Sequence, residues 1–156
     1  MYAALTGQVL PEAMPVRERR RLDVVVTYGD GRRQAVEFDE SQHFTAARAT
    51  TLGLYEGIPV CFDVAAWDRR CADRSGREPG GGFARPCPPL FPGEGGRHQQ
   101  RAFRDFLADL LPPQRGWLPT MRVSDQEAQV TLRRGGPGFA ALLESKMGGA
   151  GGWLRR

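Results

Sequence analysis

The sequence predicts an α+β fold: a small antiparallel β sheet, or a partial barrel of the oligonucleotide-binding (OB) type, with two to three helices and a long insert rich in Gly, Pro and Arg. Three observations predict it. Period-two apolar alternation dominates the N-terminal part, a helix-period stripe of Phe and Leu lies past the middle, and Gly and Pro crowd the stretch between them. The order of elements reads strands, helix, strand, insert, helix, strands, helix, which is not a βαβ series. A five-stranded barrel of the OB type shares the order of the first part.

Each element has its own signal. Ala3, Leu5, Gly7 and Val9 alternate and suggest a short strand closed by Pro11. A polar connection with a basic cluster follows. Leu22, Val24, Val26 and Tyr28 then alternate, and a second run from Arg33 to Asp39 follows Gly29-Asp30-Gly31. A two-residue loop would pair Val24 with Glu37 and mix the faces. A three-residue loop, Gly29 to Gly31, pairs Leu22 with Phe38 and Val24 with Val36 and keeps the apolar side continuous. It needs a left-handed residue at its end, which Gly31 supplies.

Residues 41–55 predict a helix capped by Asp39 or Ser41, against the weak helix propensity of Thr45, Thr50 and Thr51. Gly57 to Trp67 alternates and predicts a strand. Arg97 to Leu111 predicts the clearest helix, with Phe103, Phe106, Leu107, Leu110 and Leu111 on one face and Pro112-Pro113 as its stop. The opposite face carries Arg97, Arg101, Arg104, Asp105 and Asp109, which read as solvated. Thr120 to Leu132 predicts a third β region that turns at Ser124-Asp125-Gln126. Gly136-Pro137-Gly138 starts a last helix with Phe139, Leu142, Leu143 and Met147 inward. The expected organisation is one domain over residues 1–147, with a mobile insert at about 68–97 and a flexible tail, 148–156.

Charge placement carries the functional expectation. Residues 67–104 hold eight arginines against four carboxylates, which equals the net +4 of the whole chain. Arginine abundance by itself argues little. Lys146 is the only lysine, Ile58 the only isoleucine and Asn is absent, the pattern of a high-GC bacterial or phage genome. Arg69, Arg70, Arg74, Arg77 and Arg85 are interleaved with Trp67, Phe83 and Phe91, as in Arg/Gly segments that contact phosphates and stack bases. Arg17, Arg19, Arg20 and Arg21, with Arg32 and Arg33, form a second basic cluster around the hairpin. The expectation is a non-enzymatic, cytoplasmic protein that binds nucleic acid (single-stranded or RNA) or a nucleoprotein through these residues. The alternative is a protein-interaction module, an adaptor, inhibitor or accessory subunit, using Phe91 and the tail residues Trp153 and Leu154.

Other chemistry finds less support. Cys61, Cys71 and Cys87 lack the close pair of a structural zinc site, so no metal and no cofactor is expected; Cys71, Cys87 and His98 are the set to check. Cys87 or Cys71 with His98, or Ser41 with His43, lack an orienting acid in a recognisable motif. Gly135-Gly136-Pro137-Gly138 lacks the lysine of a phosphate-binding loop. No apolar run approaches the roughly 20 residues of a membrane span, and no signal peptide is read at the N-terminus.

Overall fold

The computed structural model describes residues 1–13, 21–133 and 138–149. Among these residues, six helices, α1 (Tyr2–Thr6), α2 (Ala46–Leu52), α3 (Val64–Asp73), α4 (Gly96–Gln114), α5 (Asp125–Leu132) and α6 (Phe139–Gly149), accompany three strands, β1 (Val24–Thr27), β2 (Arg33–Asp39) and β3 (Leu118–Ser124). The class is α+β, as expected. The sheet is open and mixed rather than antiparallel or barrel-like: β1 pairs antiparallel with β2, and β2 pairs parallel with β3. None of the described helices is long and apolar enough to cross a membrane. Arg17, Arg19, Arg20, Gly135, Gly136, Pro137, Trp153 and Leu154 lie outside the described residues.

The hairpin has the expected register. Val24 pairs with Val36, Tyr28 N–H donates to the Arg32 carbonyl at 2.9 Å, and Gly31 closes the three-residue loop at φ 83°. Local turn geometry and one apolar face are enough to set it. Val36, Met121 and Val123 then form a core on which Phe139, Leu142, Leu143 and Met147 of α6 pack, as their spacing predicted.

Four sequence expectations are corrected. The N-terminal segment is a helix, not a strand: Tyr2 is buried against Phe91 and Phe103, its hydroxyl donates to the Leu90 carbonyl at 2.6 Å, and Gly7 ends the helix in the left-handed region. The single helix expected over 41–55 is a 3₁₀ turn, Ser41–His43, followed by α2, and Thr45 is the cap, accepting from Arg48 N–H at 3.2 Å. The strand expected over 57–67 reduces to one bridge, Cys61 to Met121; Asp63 then caps α3 by accepting from Ala66 N–H at 3.0 Å. Residues 125–132 are helical because Ser124 and Glu127 form a reciprocal capping box.

The remaining corrections concern the insert and α4. The insert begins as α3 and later contributes Leu90 and Phe91 to the core beside Tyr2 and Phe103. A Cβ on Gly96 would lie 2.1 Å from the Phe91 carbonyl oxygen, so only glycine lets this segment close on the start of α4. Pro112 and Pro113 sit inside the last turn of α4 rather than ending it. Proline has no N–H, so Pro112 leaves the Ala108 carbonyl without its helical donor. Thr120 Oγ1 of β3 supplies the replacement at 2.6 Å.

Candidate functional site

The site forms where the end of β2 and the Ser41–His43 turn meet α4. β2 delivers Glu37 and Asp39, the turn delivers His43, and α4 delivers Asp105 and Asp109 one turn apart. Asp105 and Asp109 were expected on a solvated face; each is 1% exposed. Two buried arginines account for this, Arg48 on α2 and Arg122 on β3. Arg122 Nε donates to both Asp109 carboxylate oxygens at 2.9 and 3.0 Å, Nη1 to Asp39 Oδ1 at 2.6 Å, and Nη2 to the Asp105 carbonyl at 2.9 Å. Arg48 donates to Asp109 Oδ2 at 3.2 Å and to the Tyr55 hydroxyl at 2.9 Å, and that hydroxyl donates to Asp109 Oδ2 at 2.5 Å. Trp67 Nε1 donates to Asp39 Oδ2 at 2.6 Å.

His43 closes this network toward solvent. Its Nδ1 lies 2.9 Å from Asp105 Oδ2 and 3.5 Å from Asp39 Oδ1, and its side chain is 17% exposed. Burial pushes the Asp105 carboxyl up, but the His43 hydrogen bond and the charges of Arg122 and Arg48 outweigh it and hold the group well below the usual carboxylate range. Burial also drives the Tyr55 hydroxyl up, so Tyr55 stays a donor. For Arg122, burial acts to lower the pKa; Asp109, Asp39 and Asp105 overcome it and raise it well above the ordinary value.

Above His43 opens a cleft of about 460 Å³ with two unlike walls. One wall is α4, where Arg97, Arg101 and Arg104 recur at helical spacing on one face; Arg21, from the segment before β1, also lines the cleft. The other holds Asp23, Glu37, Glu40 and Gln42. Arg101 is tied to the turn, donating to the Gln42 carbonyl at 3.2 Å and to Gln42 Oε1 at 3.3 Å. Burial, followed by the charge of Arg97, lowers the Arg101 pKa, so an anion placed beside it would relieve unfavourable electrostatics.

Asp39, His43 and Asp105 present ligand atoms within 4.8 Å of one another, compact enough for a cation. Asp39 already accepts from Arg122 on one oxygen and Trp67 on the other. A cation there would compete with a guanidinium, so the trio fits an ion-pair network rather than a metal centre.

The structure brings only part of the expected residue set to this cleft. Arg21 lines it. Arg32 pairs with Asp30 at 2.6 Å and Arg33 lies over the Trp117 ring, both near the hairpin tip. Trp67 is 2% exposed, which corrects its expected role as a base-stacking platform. Arg70 stacks over Phe44 and Trp67, Arg77 donates to the Asp73 carbonyl, and Arg74 is half-buried at the end of α3. Arg69, Phe83 and Arg85 remain exposed. Phe91, expected to meet a partner, is 1% exposed in the core. Cys71 is buried beside Trp67, Cys87 packs near Phe91, and His98 lines a different cleft with Thr45, Thr50 and Glu78, so the zinc set is not assembled.

Sequence reasoning missed His43, Asp39, Asp105, Asp109, Arg48 and Arg122 as one group. The signal available was Asp105 and Asp109 at i, i+4 next to the Phe103/Phe106 stripe, which puts the pair at the border of the buried face. Compared with protein-family models, curated proteins and solved structures, the chain gives no match.

Proposed function

We propose that this protein binds nucleic acid, with phosphates of one strand lying in the cleft along α4. The observation that carries the reading is the row Arg97, Arg101 and Arg104. Helical rise spreads it over about 10 Å, and Arg21 lines the same cleft. Guanidinium groups suit bidentate phosphate contact. The exposed Arg69 and Arg85, with Phe83, are the insert residues left to extend the surface. Three free cysteines support a cytoplasmic setting.

The test is fluorescence anisotropy with labelled single- and double-stranded oligonucleotides across a salt series. Three to four phosphate contacts give a slope of log K against log salt of about −2 to −4. Arg97→Ala with Arg104→Ala is expected to weaken binding and flatten that slope, whereas Arg32→Ala with Arg33→Ala leaves both nearly unchanged. Absence of binding at low salt would overturn the reading and direct the search to a protein partner.

A second reading, phosphodiester hydrolysis, is favoured by the His43–Asp105 pair. Asp105 orients the ring through Nδ1, as an acid–base histidine requires. Protonated His43 would give its Nε2 proton to the leaving oxygen as the P–O bond breaks, while water supplies hydroxyl to phosphorus and releases a proton. Cleavage of a labelled strand, lost in His43→Ala, tests it; no cleavage with intact binding leaves a binding protein.

A further inference from the structure

Among the described residues, buried charged side chains gather beside the cleft that His43 lines. Glu37 and Asp39 of β2 and Asp105 and Asp109 of α4 are four buried carboxylates, and Arg48 of α2 and Arg122 of β3 are the two buried guanidiniums.

The His43 ring is placed to contact a ligand in the cleft. Nδ1 is turned inward to Asp105 and Asp39, and among the described residues Nε2 has no hydrogen-bond partner. The ring lines the cleft below Arg97, Arg101 and Arg104. An imidazolium with one N–H anchored on a carboxylate offers the second to whatever anion those arginines hold. The other charged groups facing the cleft, Arg21, Asp23 and Glu40, lie on its exposed rim and are screened by solvent.

We propose that His43 is a direct phosphate contact whose imidazolium form is the one that binds, so that ligand affinity in the cleft is linked to a proton. The inference rests on the reading of the cleft as a phosphate site. Histidine is the side chain whose charge changes within the physiological pH range. Binding that requires the charged form then weakens as pH rises, by up to about tenfold per pH unit once the free protein has lost the proton.

The experiment measures Kd for a labelled single-stranded oligonucleotide without a terminal phosphate, whose diester charge stays constant, from about pH 5.5 to 9. Wild-type protein is expected to lose affinity as pH rises, and His43→Gln to bind more weakly at low pH with a flat profile. Calorimetry of the wild-type protein in buffers of different ionisation enthalpy needs no variant; it should show proton uptake that rises from near zero toward one as pH increases. A flat wild-type profile, zero uptake throughout, or the same slope in His43→Gln overturns this inference while leaving the cleft as a phosphate site. Failure to bind at every pH overturns the cleft reading and this inference together.

Discussion

At the residue scale, Arg122 holds Asp39 and Asp109 through their carboxylates and Asp105 through its carbonyl. Replacing it with Met keeps much of the volume and leaves the buried carboxylates uncompensated. Arg122→Met is therefore expected to cost about 3–5 kcal/mol in urea unfolding. The Asp105 carboxyl is lowered on folding despite its burial. Such a group adds stability in full above its unfolded value of about 3.9 and loses it as pH falls toward the folded value. Asp105→Asn should thus be less stable than the parent at about pH 7, with the gap narrowing below about pH 4. Urea midpoints at the two pH values check the sign. Neither residue stood out in the sequence. Arg122 is flanked by Met121 and Val123, and alternation there marks it as the outward position of a strand. In the parallel pairing with β2 both faces are covered, so the outward position is inside.

At the element scale, what was legible depended on how locally each element is determined. The hairpin needs only Gly31 and two matched apolar faces, and it was read in register. The α6 stripe of Phe139, Leu142, Leu143 and Met147 was equally self-contained. Residues 125–132 failed because Ala128, Val130 and Leu132 imitate a strand, yet Val130 is 56% and Leu132 72% exposed. The decisive information was Ser124 and Glu127, three apart, whose capping box starts α5. Ser124→Ala is expected to lose about 1 kcal/mol in thermal or urea unfolding. The end of α4 was misjudged for a different reason: Pro112 removes a donor that only β3 restores. Thr120→Val keeps the shape and orphans the Ala108 carbonyl, with an expected cost of about 1–3 kcal/mol in the same assay.

At the scale of the whole molecule, the insert read as too poor in apolar residues to pack, but two of them suffice to dock it. Leu90 and Phe91 bury against Tyr2 and Phe103, and so bind the first turn of the chain to the middle of it. Phe91→Ala is expected to cost about 3–5 kcal/mol in urea unfolding, and to speed protease cleavage within the Gly76–Gly96 stretch relative to wild type. Long-range closure of this kind recurs in the sheet, where Val36 finds its parallel partner in Met121. The same register brings Arg122 to Asp39, made 83 residues earlier in the chain. During synthesis, a polypeptide whose β3 is still inside the ribosome has exposed Asp39 without the Arg122 guanidinium that neutralises it. Its earlier elements have little reason to collapse around that charge while water still solvates it. The nascent protein should stay open until β3 emerges, so closure of this core waits on the strand that carries Arg122.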